Sequence, residues 1–287
     1  PSGRSYAQRI EMMTILTTNL QKLTWMFALL TGLLLPTLAV QAQTAQSGVT
    51  GEVLDTVVGI DTRIPGNART ASFLGTTRQG SGVVISDDGL VLTIGYLILE
   101  ALEIDIVLND GREIPASFVA YDHESGFGLV RAASEIRVTP AELGSSGGMG
   151  VSTQVLLANR LGPGAAQGVF VVDRREFVGP WEYLLDSAIY TSPPNPNFSG
   201  AGLFDADGKL IGIGSLFVGN AAFLRQPVPG NMFVPIDELK PILDDMITGG
   251  RGAAAMAWNR ALRTSRPGLH RSGLARQPGV ACRRSAG

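Results

Sequence analysis

Histidine and cysteine are the side chains most often recruited for nucleophilic and metal chemistry, and this chain has few of either. His123 and His270 are its two histidines and Cys282 its one cysteine. Neither histidine has a second ligand at metal-site spacing, and a lone thiol supports neither a cysteine-ligated cluster nor an intrachain disulfide. His123 sits in Tyr121-Asp122-His123-Glu124 and reads as a solvated loop residue; His270 lies in an Arg-rich C-terminal stretch. Asp205, Asp207 and Gly208 match the opening of a calcium loop, but Leu216 stands where the closing Glu belongs. No cofactor and no metal are expected. The scarcity of histidine limits hydroxyl chemistry in particular, because a serine hydroxyl is a poor nucleophile at neutral pH without a base within hydrogen-bond reach.

The elements available to position such a group are short apolar runs broken by turn signals. Val83-Val84-Ile85 and Leu90-Val91-Leu92 flank Asp87-Asp88-Gly89. Ile104–Leu108 and Ile114–Val119 flank Asn109-Asp110-Gly111. Leu203-Phe204 and Leu210–Ile213 flank Asp207-Gly208. Asp-Gly between two β-rich runs is a hairpin signal, because glycine supplies the positive φ a tight turn demands. Three such hairpins, with runs recurring about every ten residues, predict an all-β barrel or sandwich. One helix is expected from Ile236, Leu239, Ile242, Leu243, Met246 and Ile247, with Asp237 as cap, Pro241 near the first turn and Gly249-Gly250 as the stop.

Charge and composition exclude other classes. With 45% hydrophobic residues the chain can bury a real core. Residues 43–250 carry 12 Lys and Arg against 24 Asp and Glu, so the body is acidic and no nucleic-acid partner is expected. Residues 251–287 carry eight Arg and no acid, without apolar periodicity, and read as a basic low-complexity tail. At the other end, Lys22 precedes an apolar run over Leu23–Leu35, then Pro36 and small residues ending at Ala42. That pattern is a secretory signal peptide with cleavage after Ala42, leaving no stable membrane span; retention as an anchor is the alternative.

Four blocks in order resemble the HtrA/Deg-type, trypsin-like serine proteases. Gly80-Ser81-Gly82-Val83-Val84-Ile85-Ser86-Asp87-Asp88-Gly89-Leu90-Val91-Leu92-Thr93 is similar to that family's GSGVIIS-DG-ILT stretch. Asn109-Asp110-Gly111-Arg112 with Ala120-Tyr121-Asp122 is similar to DGR…VGxD. Phe198-Ser199-Gly200-Ala201-Gly202-Leu203 with Gly208–Ile213 is similar to NSGGPL…G-VIGI, and Asn231–Ile236 resembles the F-A-I-P strand before the terminal helix. The resemblance implies an all-β, trypsin-like double β-barrel with a C-terminal helix. It divides residues 43–250 into a first barrel over about 50–140 and a second over about 141–250. A PDZ domain usually follows in the family; the tail after Gly250 is expected not to form one.

By the same resemblance the family's three catalytic positions fall on Tyr96, Gly126 and Ser199. The histidine of T-N-N-H aligns with Tyr96 of Thr93-Ile94-Gly95-Tyr96, the aspartate of T-D-L-A-V-L with Gly126, and the serine with Ser199. Tyrosine, with a pKa of about 10, holds its proton at neutral pH and is no general base. Gly126 has no side chain. Asn197 stands where the first glycine of Gly-Asn-Ser-Gly-Gly-Pro lends a backbone N–H, so Asn197 and Ser199 are the oxyanion-hole candidates. Deleting a triad member costs about four to six powers of ten, roughly 6–8 kcal/mol of barrier. The resemblance therefore implies an inactive periplasmic homologue that binds extended peptide or unfolded segments, with Trp181, Glu182 and Tyr183 as candidates for lining the cleft. The alternative is an active serine endopeptidase using Ser199 with a non-standard base. Homo-oligomers are common in the family, and the sequence leaves assembly open.

Overall fold

A computed structural model describes residues 50–160, 165–179, 184–223 and 226–249. The segment expected to be a signal peptide, Trp181, Glu182, Tyr183, His270, Cys282 and the basic tail lie outside the described residues.

Twelve strands form two closed six-stranded barrels. The first has the order β1-β2-β3-β6-β5-β4 and the second β10-β11-β12-β9-β8-β7. Barrel one runs through β1 (Val57–Arg63), β2 (Thr77–Val84), β3 (Leu90–Ile94), β4 (Glu103–Val107), β5 (Glu113–Tyr121) and β6 (Phe127–Ala132). Barrel two runs through β7 (Gln154–Ala158), β8 (Ala166–Val178), β9 (Leu184–Ser192), β10 (Gly202–Phe204), β11 (Leu210–Phe223) and β12 (Pro227–Pro235). The helices are short: residues 50–56 (α1), Ala71–Leu74 (α2), Gly95–Ile98 (α3) and Leu243–Gly249 (α4). The chain thus has the expected double barrel.

Each Asp-Gly turn joins adjacent antiparallel strands. Gly89, Gly111 and Gly208 take φ of 78°, 85° and 76°, between β2 and β3, β4 and β5, and β10 and β11. Side chains explain why these turns are acidic. Asp205 Oδ1 accepts from the N–H groups of Asp207 and Lys209, at 3.0 and 2.9 Å, and so closes the turn from within.

Burial follows the strand pattern. β4 alternates exposed and buried residues, as a barrel wall facing water should, whereas β3 is buried along its whole length. β3 is apolar on both faces because β11 of the second barrel lies against it. Val155, Leu157, Val169, Ile211 and Phe233 pack together in the second barrel. Burying each such side chain stabilises by about 1.5–3 kcal/mol.

The C-terminal helix differs from its expected form. Ile236–Glu238 is a 3-10 turn and regular α-helix begins only at Leu243. Pro241 has no N–H and cannot carry helical bonding through the middle of the segment. Asp237 is not a side-chain cap. Its Oδ2 accepts from the Ser145 and Ser146 hydroxyls and from the N–H groups of Ser146 and Gly147, at 2.8–3.1 Å, and Oδ1 pairs with Lys240 at 2.7 Å. The apolar spacing was real, but this carboxylate fastens the inter-barrel connection rather than a helix end.

Candidate active site

Tyr96 lies on α3, a single helical turn directly after β3. One turn of helix leaves most of its carbonyls without partners, and Arg78 supplies them. Arg78 is 5% exposed. Its Nη1 donates to the carbonyls of Tyr96 and Leu99 at 2.6 and 3.0 Å, and its Nη2 to Thr70 Oγ1 at 2.6 Å. Glu100, with φ of 60°, accepts from the Thr70 N–H and hydroxyl at 2.8 and 2.6 Å. The Thr70 side chain and backbone bonds hold the Glu100 carboxyl below the usual range. Burial pushes the Arg78 guanidinium down, against the pull of Glu100.

The start of α3 is pinned to the Gly126 turn. The Gly95 N–H donates to the Gly126 carbonyl at 2.7 Å. A Cβ at Gly95 would stand 2.1 Å from the Tyr121 ring, so residue 95 must be glycine while Tyr121 stays in place. Gly126 itself has φ of 79°, a left-handed backbone that side chains rarely adopt. The Gly126 turn contributes no carboxylate. The nearby Asp122 is buried, and its Oδ2 accepts from the Ser125 N–H and hydroxyl at 2.8 and 2.6 Å. His123 is exposed, its ring edge-on to Tyr121 with centroids 4.5 Å apart.

Ser199 sits in the tight turn before β10. Its carbonyl accepts from the Ser81 N–H at 2.9 Å. Gly200 takes φ of 70°, and a Cβ there would lie 1.9 Å from the Ser81 carbonyl oxygen. Gly80, where a Cβ would lie 2.8 Å from the Ser199 carbonyl oxygen, and Gly200 therefore belong to one close backbone contact between the two barrels.

At that contact the Ser199 and Tyr96 hydroxyl oxygens are 2.9 Å apart, and the Tyr96 oxygen is 2.8 Å from the Ser215 carbonyl. A phenol has one proton and a carbonyl can only accept. The Tyr96 proton goes to Ser215, which leaves Ser199 to donate its own proton to the phenol oxygen. Ser199 and Tyr96 are half-buried and Ser215 is fully buried.

The two oxyanion-hole candidates have different fates. The Ser199 N–H makes no hydrogen bond among the described residues. The Asn197 N–H donates to Asn195 Oδ1 at 2.8 Å. Asn195 is 4% exposed and Asn231 0%. Asn231 grips the Asn195 backbone with both ends of its amide, accepting from the N–H at 2.7 Å and donating to the carbonyl at 3.1 Å. Asn195 Nδ2 in turn donates to Gln167 Oε1 at 2.8 Å. Sequence reasoning missed Ser215, Arg78, Asn195 and Asn231. A signal existed for two of them: Arg78 is the one charged residue of β2, and Asn231 opens the apolar Met232–Ile236 run.

Two six-stranded barrels with a serine turn where they meet define the trypsin-like class. Residues 80–213 match the model of the trypsin-like peptidase domain family. The serine protease PepD of Mycobacterium tuberculosis is 26% identical over 200 residues, covering 62% of this chain and 43% of that protein. The serine endoprotease DegS of Haemophilus influenzae is 29% identical over 178 residues, 60% of this chain and 51% of that one. The periplasmic pH-dependent serine endoprotease DegQ of Escherichia coli is 30% identical over 159 residues, 53% and 35% of the two chains. The chain spans about half or less of the length of these relatives. Among solved structures, the HtrA-type protease AlgW with a tripeptide has the same fold, with a TM-score of 0.58, 23% identity, and coverage of 72% of this chain and 64% of that one. The chain is thus similar, over its two barrels, to the trypsin-like peptidase domain and to serine proteases of the HtrA/Deg type, and it shares their fold.

Proposed function

We propose that this protein is a non-hydrolysing member of its class, which holds extended peptide or unfolded segments in the cleft between its barrels. The observation that carries the reading is the proton count at Ser199. Its hydroxyl donates to a phenol whose own proton is committed to the Ser215 carbonyl. A neutral phenol oxygen cannot remove that proton at neutral pH. In this reading Tyr96 and Gly126 stand in the places of the family's base and orienting acid. The engaged Asn197 N–H removes one of the two backbone donors that would stabilise an acyl-transfer transition state.

Peptide holding needs none of these groups. β10 pairs with β11 only as far as Ile213, and from Leu216 onward the ladder of β11 is to β12 alone. That leaves one strand edge for main-chain hydrogen bonds, with Phe217 exposed beside it. The AlgW structures hold a tripeptide and a decapeptide, in keeping with a peptide-binding class. Relatives named as periplasmic and the signal-like segment ending at Ala42 support export, with residues 43–250 as the working domain. No helix among the described residues is long and apolar enough to cross a membrane.

Labelling with a serine-reactive fluorophosphonate tests the reading. Ser199 is expected to stay unlabelled while a fluorescent unfolded substrate such as carboxymethylated lactalbumin binds without turnover. Strong labelling at Ser199, lost in Ser199→Ala, would establish the active endopeptidase instead.

A further inference from the structure

Ser199 itself presents two donors at the inter-barrel contact, its hydroxyl and its backbone N–H. The Ser199 hydroxyl donates to Tyr96, and the Ser199 N–H has no acceptor among the described residues. The Tyr96 phenol is a donor that has already taken the nearest carbonyl, that of Ser215. No side chain extends from Gly126, and the Asp122 carboxylate accepts from Ser125. A pair of donors of this kind suits an acceptor-rich ligand. The peptide carbonyl of an internal segment is one neutral acceptor. A carboxylate is an ionised acceptor with two oxygens, can take the Ser199 N–H and hydroxyl together, and forms bonds roughly twice as strong.

We infer that the preferred ligand of this cleft is the free C-terminal end of an extended peptide, its carboxylate held by the Ser199 N–H and Ser199 hydroxyl. The inference rests on the peptide-holding reading above and narrows it from unfolded segments in general to chain ends. The residues upstream of that carboxylate add to the edge of β11 from Leu216 onward, past the Gly214 and Ser215 groups already bonded to the Ser199 turn and Tyr96, where exposed Phe217 gives apolar contact. The half-buried setting of Ser199 and Tyr96 leaves their hydroxyls within reach of a ligand. When the carboxylate arrives, the Ser199 hydroxyl turns from the phenol to the ligand, and Tyr96 keeps its bond to Ser215. No covalent bond forms or breaks.

The test uses the full chain and two pools of amino-terminally labelled decapeptides of randomised sequence, one ending in a free carboxylate and one in a carboxamide. Anisotropy titrations at pH 7 are expected to give the carboxylate pool about a tenfold tighter Kd, the worth of one charge-assisted bond. Ser199→Asp puts a like charge beside the ligand and is expected to abolish the difference. Ser199→Ala, which removes the hydroxyl and keeps the N–H, is expected to reduce it several-fold. Equal affinity for the two pools in the unmodified protein overturns the inference and leaves peptide holding standing. A carboxylate preference that survives both substitutions places the recognition elsewhere and overturns it as well. Binding of neither pool removes both readings together.

Discussion

Ser199 donates its hydroxyl proton to Tyr96, a residue 103 positions away in the chain. The direction follows from Ser215, whose carbonyl accepts the only proton the phenol has. The pair has the contact distance of a nucleophile and its base, with neither partner able to take a proton. A phenolate at this position would give up its bond to Ser215 and set two oxygens 2.8 Å apart without a proton between them. In the proposed reading, the same contact that ties the two barrels together is what leaves the alcohol without a base.

Placing an imidazole at residue 96 is expected not to restore hydrolysis. A positioned general base contributes about 10²–10⁴ in rate. A histidine lacking its orienting carboxylate forfeits about 10⁴, so the gain cancels. Tyr96→His is predicted to leave steady-state casein turnover at background, measured by release of acid-soluble fluorescence. Adding Gly126→Asp meets a second obstacle, since φ of 79° strains an L side chain by about 1–2 kcal/mol. The double variant is expected to melt roughly 2–8 °C lower; an unchanged Tm with recovered turnover would contradict both steps.

The amide network beneath Ser199 sets the loop that carries Asn197. Removing Asn231 orphans the buried N–H and carbonyl of Asn195 together, at about 1–3 kcal/mol for each group. Asn195→Ala removes only its side-chain bonds, to the Asn197 N–H and Gln167, and is expected to cost about 1 kcal/mol. The two substitutions share a network, so the loss in the double variant should fall short of the sum. Urea unfolding of the four proteins checks this. Strict additivity would mean that the two asparagines act separately.

Parts of this arrangement were legible in the sequence and parts were not. Asp-Gly turns are local, so Gly89, Gly111 and Gly208 could be assigned their left-handed roles from neighbours alone. The double barrel and the meeting of Ser199 with residue 96 required family resemblance, because no spacing rule joins β3 to the turn before β10. The Asn195–Asn231–Gln167 network was invisible, since amides carry no periodic signal and their partners are backbone groups of other strands. The terminal helix was over-read. Apolar residues at three- and four-residue steps persist from Ile236 to Ile247, but Pro241 interrupts the hydrogen bonding that such spacing presumes. Asp237, apparently suited to a cap, was drawn to the N–H groups at Ser146 and Gly147 instead.

Acid stability should turn on opposing carboxylates. Burial raises the Asp237 pKa, but its bonds to Lys240, Ser146, Gly147 and Ser145 outweigh that and hold it far below the ordinary value. Its contribution is therefore present above the unfolded carboxylate pKa of about 4 and is lost as pH falls through the folded value. Glu238 goes the other way, pushed up by burial and then by Asp186, Asp237 and Asp122. Glu124 is raised by burial and Asp122. Protonating these two removes a penalty, so stability rises as pH falls from neutral toward their raised values. Tm is expected to peak in mildly acidic buffer, about pH 5, and to fall on further acidification. Asp237→Asn should flatten the acid limb and leave the neutral limb in place. A Tm that climbs steadily from pH 5 to pH 8 would contradict the assignment of Glu238 and Glu124.

Arg78 is the residue on which the position of Tyr96 depends most. Its guanidinium meets the carbonyls of Tyr96 and Leu99 and the Thr70 hydroxyl from one planar fork, with Glu100 bonded to the same threonine. An ammonium cannot span those three acceptors. Arg78→Met removes the donors and leaves buried acceptors unpaired, which costs about 3–5 kcal/mol when a buried charged network loses one member. Arg78→Lys should lose less, because one donor can still reach the Tyr96 or Leu99 carbonyl. Both are expected to lower the urea midpoint with little change in its slope. In Arg78→Lys, α3 is expected to shift enough to lengthen the contact between Tyr96 and Ser199, which a crystal structure of the variant would read directly. An unmoved phenol in a destabilised protein would show that β3 and the Gly95–Gly126 bond are sufficient to hold it, and would return Arg78 to an ordinary role in the barrel wall.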